Sequence, residues 1–454
     1  MRPRSPERAR VLVPGTSRRE RVTRVAAAVL TTVICLLFLW HVLLYLDGSR
    51  WRMPIALYTV VVSTYVLSRF LLGALYRPPS DAGHEPHVAI VVPAYNEGAA
   101  VARTIHACLA VDYPAEKVEL VVVDDGSEDD TWERMEAAAA LHPPGAVTLV
   151  DLGHNQGKRA AMAAGIRATE AEVLVFVDSD SVPSPGAVRQ IVQGLADERV
   201  AAVSGITHVR NAYTNALTAM QMARYFVSFQ LLKAAESVVG AVTCCSGCFS
   251  AYRRSAVMEV LDGWEHQRFL GAECTHGDDR ALTNQLLRRG WRALYDSSAE
   301  AWTDAPATYR KFFRQQLRWK KSWFREGLIL LTHSWRTHPV AFPFILAGTM
   351  AGLLSPLVLL LNLSQPAVTG TLPLVYLLGL FLVSMAYALY YRAMRDDGLW
   401  LYAFVGTYFY IAFCFQLWWA ILRVRDASWG TRDLPGERAA TRTGEQTTTE
   451  EVRA

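Results

Sequence analysis

From Val25 to Leu46 the chain runs for 22 residues with His41 as its only strongly polar side chain. At about 1.5 Å of rise per residue, a helix of that length crosses a hydrocarbon core of about 30 Å. Pro54 to Tyr76 is a second candidate, interrupted only by Arg69, whose long stem can snorkel to the interface from near the segment's end. Three more apolar stretches follow near 339–363, 371–391 and 399–422. A chain of 454 residues with these segments, 52% hydrophobic and 19% charged, has room for one large soluble domain between two membrane regions.

Charge flanks the first span. Residues 1–24 carry Arg2, Arg4, Arg8, Arg10, Arg18, Arg19, Arg21 and Arg24 against Glu7 and Glu20. Such an arm can bind nucleic acid, but arginines on the cytoplasmic side of a span account for it more simply, so membrane lipids and no nucleic acid are the expected partners. The apolar run is too long for a signal-peptide core and lacks a small-residue cleavage site after it, so it is expected to stay in the mature protein. Two spans before the soluble region and three after it would leave the chain ends on opposite sides, whereas Arg423, Arg425 and Arg432 call for a cytoplasmic tail. One C-terminal segment is then re-entrant, or pairs with an interfacial helix, or hides a fourth crossing. The seven cysteines are odd in number and scattered, which implies no disulfide framework, and Cys245-x-x-Cys248 lacks the second ligand pair of a zinc finger.

After Pro-Pro-Ser-Asp-Ala-Gly at 78–83 the texture changes. Apolar runs at Val88–Val92, Val118–Val123, Val173–Val177 and Val200–Ser204 alternate with Ala- and Leu-rich helical patterns, the mark of an α/β domain with a mostly parallel sheet covered on both faces. The expected divisions are a basic arm (1–24), two N-terminal transmembrane helices (25–76), the α/β domain (77–308), an amphipathic interfacial helix (309–335), a C-terminal membrane region of three or more spans (336–424) and a cytoplasmic tail (425–454). The stretch 433–454, rich in Thr, Glu and Arg, reads as disordered.

Ligands of such sheets bind beyond the carboxyl ends of the strands, and the acidic motifs fall there. The first strand runs into Pro93-Ala94-Tyr95-Asn96-Glu97 and the second into Asp124-Asp125-Gly126-Ser127. Tyr95, Glu97 and Asp124 can meet a base and ribose with a flat apolar surface and acceptors; each turn is also an ordinary capped strand-to-helix connection. Asp178-Ser179-Asp180 ends the third strand with two carboxylates one residue apart, a site for a hard divalent cation shared with a diphosphate. Lys158 or Arg159, in His154-Asn155-Gln156-Gly157-Lys158-Arg159, can reach phosphates or form a solvated turn. Gly277-Asp278-Asp279-Arg280 opens a helical pattern, where Asp279 beside Asp278 is placed to act as general base, Asp278 to cap the helix, and His276 to be an alternative base. On the helix beginning at Tyr309, Trp319 offers a stacking face while Gln315 and Arg318 can touch an acceptor and a diphosphate; Trp at an interface also serves as a plain anchor.

In combination, Asp124-Asp125-Gly126-Ser127, Asp178-Ser179-Asp180, Gly277-Asp278-Asp279 and Gln315-Gln316-Leu317-Arg318-Trp319, followed by membrane spans, resemble the processive branch of glycosyltransferase family 2 over roughly residues 85–335. Within that branch Gly277–Asn284, Gln315–Glu326 and Trp429-Gly430-Thr431-Arg432 are similar to segments of hyaluronan synthases. Rhizobial chitooligosaccharide synthases share much of the first two, and Cys244-Cys245-Ser246-Gly247-Cys248 departs from the Ser-Gly-Pro pattern of the hyaluronan enzymes. The resemblance implies a Rossmann-like, GT-A-type cytosolic domain joined to an all-α transmembrane region in the cell membrane. It implies Mg2+ or Mn2+, and inverting transfer from UDP-sugars to a growing β-linked, GlcNAc-containing polysaccharide that leaves through the enzyme's own channel. UDP-GlcNAc with UDP-glucuronate is the leading donor pair; a chitin-type homopolymer and transfer of one sugar to a lipid carrier are the alternatives. On this resemblance Tyr95, Glu97, Asp124, Asp125, Lys158, Asp178 and Arg318 bind the nucleotide sugar, Asp178 and Asp180 the metal, Asp279 with Asp278 serves catalysis, and Gln315, Arg318 and Trp319 line the acceptor entrance.

Overall fold

A computed structural model describes residues 18–44, 53–370 and 372–426. Most of the basic arm and the Trp429–Arg432 motif with the tail beyond it lie outside the described residues. Among the described residues ten strands form: β1 (Val88–Ala94), β2 (Val118–Asp124), β3 (Val147–Asp151), β4 (Val173–Val177), β5 (Val182–Pro183), β6 (Val200–Val209), β7 (Phe249–Arg253), β8 (Arg268–Phe269), β9 (Ala272–Glu273) and β10 (Arg292–Thr303). Eight of them make one sheet in the order β3-β2-β1-β4-β7-β6-β10-β5, and β8 pairs with β9. β3, β2, β1 and β4 run parallel, as do β6 and β10, while β7 and β5 are antiparallel to their neighbours.

The β-branched runs become central strands because both faces are covered. Every residue of β1 and β4 is buried. The period-2 alternation divides them: Ala89, Val91, Val121, Val123, Leu174 and Phe176 pack on the face that carries the helices Lys158–Arg167 and Asp278–Arg288. Val88, Ile90, Val92, Leu120, Val122 and Val175 pack on the face that carries Ala99–Leu109 and Thr131–Ala139.

The helices Arg18–Leu44 and Met53–Leu75 occupy the first two expected spans. Arg24 does not belong to an outer arm, because the helix already begins at Arg18. It is buried against the soluble domain, donating to the carbonyl oxygen and side-chain oxygen of Gln230 at 3.0 and 2.9 Å. Gln230 lies in a π-helical turn, Ser228–Lys233. Among the described residues, Phe342–Val368, Tyr376–Met394 and Trp400–Leu422 are long and apolar enough to cross a membrane.

The third of these is unlike the other two. A 3-10 turn at Phe413–Phe415 breaks it into Trp400–Ala412 and Gln416–Leu422. Just before it, the Asp397 carbonyl accepts from Tyr213 at 3.2 Å. Midway, Gly406 packs on Met220. At the break, the Phe413 carbonyl accepts from Lys320 and Gln416 donates to the Phe313 carbonyl at 2.9 Å. Beyond its end, the Asp426 carboxylate lies 3.4 Å from Lys321. From one end to the other this segment therefore lies along the soluble domain and the helix Tyr309–Thr337, which is two residues longer than the expected 309–335.

Gly348 and Gly352, one turn apart on the helix Phe342–Thr369, let that helix approach its neighbours. A Cβ at Gly348 would lie 2.7 Å from the Tyr65 ring, and one at Gly352 2.5 Å from the Trp323 ring. Small residues four apart are a common device for close packing of membrane helices.

Candidate active site

The site forms where β1, β2 and β4 end. Asp124 and Asp125 are both buried at the end of β2. Asp124 Oδ2 accepts from the Ser127 amide at 2.9 Å, and Ser127 Oγ in turn accepts from the Asn96 amide at 2.9 Å. Asn96 takes a left-handed conformation (φ 55°), which an Asn tolerates better than most residues, and this turns half-buried Tyr95 and Glu97 out of the end of β1. Asp125 accepts from the amides of Gln156 and Gly157 at 2.7 and 3.0 Å and so fixes the start of the helix Lys158–Arg167. At Gly126 (φ 68°) a side chain would run into the backbone of His154, so the loops after β2 and β3 touch only because this residue is glycine.

Lys158 and Arg159 part company at this helix start, since neighbours on a helix point about 100° apart. Lys158 Nζ donates to Asp178 Oδ1. Burial opposes its charge, but Asp178, with Asp278 and Asp279 farther off, holds its pKa above the usual lysine value. Arg159, the alternative phosphate ligand, turns inward instead: its Nε donates to Asp278 Oδ1 at 3.0 Å and its Nη1 to the Trp264 carbonyl at 2.7 Å. Asp180 accepts from Thr303 Oγ1 at 3.3 Å, and burial together with the charge of Asp178 pushes its pKa up.

Asp279 is half-buried at the first turn of Asp278–Arg288. Its Oδ2 accepts from the Gly247 amide at 3.3 Å and the Cys244 thiol at 3.4 Å, and its Oδ1 from the Arg280 amide at 2.7 Å. Asp278, expected beside it as a second catalytic carboxylate, is buried in an ion pair with Arg159, which itself lies over the Trp264 ring. Its place is structural. His276 is buried, and burial, with Arg325 and Lys321 nearby, lowers its pKa to about 3, which makes it a weak base.

The loop Cys244–Cys248 was legible in the sequence only as a departure from a family pattern, yet it lies at the centre of the site. A Cβ at Gly247 would fall 3.3 Å from Asp178 Oδ1 and 3.6 Å from Lys158 Nζ, while the same residue's amide holds Asp279. Burial and the nearby Asp279 charge push the Cys244 thiol up to about 12, so it remains a neutral donor at physiological pH. Lys233, at the end of the π-helical turn, donates to the Cys244 carbonyl and to Ser204 Oγ, which pins the loop from beneath.

The helix Tyr309–Thr337 closes the site. Trp319 is 41% exposed with its ring 6.3 Å from that of Tyr225, and Gln315 Oε1 is buried without a hydrogen-bond partner among the described residues. Arg318 is half-buried in the field of Asp278, Asp178 and Asp279. Two turns on, a buried network fastens this helix to Asp278–Arg288: Arg325 Nε and Gln267 Nε2 donate to Glu326 Oε1 at 2.8 and 3.1 Å, and Asn284 Nδ2 to Oε2 at 3.1 Å. Gly277 is the hinge of the contact. It is left-handed (φ 76°), and a side chain there would run into Ser322 of the facing helix. Gly277→Ala is expected to lose most activity through both strain and displacement of Asp279, and Gly277→Ala/Ser322→Gly to recover part of it, measured as turnover per folded protein.

Thus Asp124, Asp125, Lys158, Asp178, Asp180, Asp279, Arg318 and Trp319 converge at one end of the sheet, with Tyr95 and Glu97 on its rim. Comparison with known proteins bears on the family and the fold. The family model described as "Glycosyltransferase like family 2" matches residues 86–322. The chain is 31% identical to a hyaluronan synthase of Streptococcus pyogenes over 391 residues, 84% of this chain and 85% of that one. It is 34% identical to an N-acetylglucosaminyltransferase of Mesorhizobium japonicum over 304 residues, 65% of this chain and 69% of that one. In fold it is similar to the mannosyltransferase PcManGT from Pyrobaculum calidifontis, solved in complex with GDP-Man and Mn2+, with a TM-score of 0.57 at 21% identity over 89% of this chain and 98% of that one.

Proposed function

Because the chain belongs to glycosyltransferase family 2, we propose that this glycosyltransferase is processive and inverting, and that it extends a β-linked polysaccharide from UDP-GlcNAc and UDP-glucuronate, as a hyaluronan synthase does. The observation that carries the reading is the loop at Gly247. It joins the Asp178 end of the site to Asp279, so that a donor diphosphate at the first leaves its sugar beside the second.

On this reading the base and ribose lie against Tyr95, Glu97 and Asp124. Lys158 and Arg318 neutralise the diphosphate. The acceptor hydroxyl is held near Trp319 and gives its proton to Asp279 as its oxygen bonds to the donor's anomeric carbon; the bond from that carbon to phosphate breaks, and UDP leaves with the electron pair. Attack from the face opposite UDP turns an α-linked donor into a β-linked product. Cys244 and the Gly247 amide hold Asp279 in the orientation to accept the proton.

A divalent cation fits the acids. Asp178 and Asp180 stand one residue apart, burial together with the charge of Asp178 raises the Asp180 pKa, and a glycine, Gly247, leaves room in front of Asp178. Among the described residues no group of three or more His, Cys, Asp or Glu forms a closed metal cage, which suits a site completed by diphosphate oxygens. When bound, Mg2+ or Mn2+ would stabilise negative charge on the departing UDP. The membrane region crosses four times in this proposal, through Arg18–Leu44, Met53–Leu75, Phe342–Thr369 and Leu374–Met394, while the broken segment from Trp400 to Leu422 lies along the interface. That even number returns the arginine-rich ends of the chain to the same side as the catalytic domain.

The deciding experiment supplies the detergent-purified protein with UDP-GlcNAc, UDP-glucuronate, or both, in the presence of either metal. A large product that requires both donors and is cut by hyaluronidase is expected. Polymer from UDP-GlcNAc alone would show a chitin-type enzyme instead, the reading favoured by the similarity to an N-acetylglucosaminyltransferase.

A further inference from the structure

The loop that holds Asp279 rests on a buried lysine. Lys233 is 8% exposed, and among the described residues its hydrogen-bond partners are the Cys244 carbonyl and, at 3.0 Å, Ser204 Oγ. Its Nζ also lies 4.6 Å from the centre of the Phe229 ring. None of these groups carries charge. Burying an ammonium among neutral partners costs stability, so folding alone does not account for this side chain. Its contacts converge on one loop. Ser204 Oγ also accepts from the Ser246 amide at 3.4 Å, so one ammonium and one hydroxyl hold both Cys244 and Ser246. The same loop aims the Cys244 thiol and the Gly247 amide at a single oxygen, Asp279 Oδ2, at 3.4 and 3.3 Å.

Lys233 is presented by an irregular helix. Ala216–Val227 continues through the π turn Ser228–Lys233 into Ala234–Val238, and π turns, with hydrogen bonds spaced five residues apart, are rare and recur at functional sites. Membrane helices fasten this turn. Arg24, from Arg18–Leu44, donates to the Gln230 carbonyl and side-chain oxygen at 3.0 and 2.9 Å, and Tyr390, from Leu374–Met394, donates to the same carbonyl at 3.2 Å. Arg24 also donates to the Gly73 carbonyl of Met53–Leu75 at 3.3 Å. Three membrane helices therefore meet on the turn whose last residue supports the loop around the catalytic aspartate.

We propose that Lys233 is a positioning residue for Asp279: from a turn fastened to the membrane helices through Arg24, it sets the place of the Cys244–Gly247 loop, and the loop sets the carboxylate. This deepens the proposed function and rests on Asp279 as its base. Lys233 acts through the loop and takes part in no bond change. The membrane region is then a support of the catalytic centre as well as its anchor.

The test measures turnover per folded, detergent-purified full chain, with UDP-GlcNAc, UDP-glucuronate or both, as the wild type requires, alongside thermal unfolding. Lys233→Met is expected to lower kcat by about 10- to 100-fold, the effect of a misplaced catalytic group, with KM for the donor changed by less than about threefold. Added to Asp279→Asn, which has already lost the base, Lys233→Met should slow turnover no further, because residues that act as a unit are not additive. Ser204→Ala removes the hydroxyl shared by Lys233 and the Ser246 amide; it should show the same split at smaller size, and it decides the question if Lys233→Met does not fold. Arg24→Gln should lower kcat, and Arg24→Lys should restore part of it. A normal kcat in folded Lys233→Met or in Arg24→Gln, a loss confined to the unfolding temperature or to KM, or a further loss in the Asp279→Asn background overturns the proposal. Full activity in Asp279→Asn would refute the base assignment and this proposal with it, whereas an inactive Asp279→Asn beside a normal Lys233→Met refutes this proposal alone.

Discussion

Asp279→Asn is expected to stop sugar transfer while leaving the protein folded and able to bind UDP. The substitution keeps the size of the side chain and its acceptor oxygen, so the Gly247 amide and the Cys244 thiol can still be satisfied. What is lost is the capacity to take a proton, a contribution of about 10²–10⁴ in rate for a general base. The check is UDP release and polymer yield against UDP affinity. A fall of less than tenfold would place the base elsewhere. Asp278→Asn is the informative contrast: it leaves the buried Arg159 without its counter-charge, and removing one partner of such a pair costs about 3–5 kcal/mol. That variant should show its defect as a lowered unfolding temperature, before any effect on turnover by the folded fraction.

Asp180→Asn and Asp178→Asn should each remove most activity, for related but separable reasons. Asp180 is half-buried beside another carboxylate, and among the described residues the Thr303 and Ser181 hydroxyls are its hydrogen-bond partners. That arrangement is unfavourable without a cation and becomes favourable with one. Asp180→Asn is therefore expected to raise the concentration of Mn2+ needed, seen directly as weaker Mn2+ binding in the presence of UDP, and EDTA should inactivate the wild type reversibly. Asp178→Asn carries a second penalty, because Lys158 loses the carboxylate that now holds it. If either variant turns over normally in EDTA, the acid pair holds no catalytic metal.

Much of this site could be read from the residues. Val88–Val92, Val118–Val123 and Val173–Val177 are continuous apolar runs because they are interior strands covered on both faces, and their acids stand at the carboxyl ends where the sheet exposes them. β3, β7 and β10 were not anticipated. β3 is an edge strand, only partly buried, so its apolar signal is weak. β7 is antiparallel between two parallel sets, and its sequence, Phe-Ser-Ala-Tyr-Arg, takes its meaning from partners elsewhere in the chain. β10 is interrupted by a bulge between Tyr295 and Glu300, which breaks its alternation. The roles of Arg159 and of the Cys244–Cys248 loop were hidden for a similar reason. They depend on contacts with Asp278, Asp279 and Asp178, residues separated from them by tens of positions and joined only by the fold.

The broken C-terminal segment has a mechanical consequence. The helix that carries Trp319 is tied on one flank to the break, through Lys320 and the Phe313 carbonyl, and on the other to the helix of the catalytic aspartate, through Glu326. A rod clamped along both sides transmits load instead of swinging. If the enzyme is processive, as proposed, such a rod is the fixed rail past which the product slides, and the force that moves it comes from the free energy of adding the next unit.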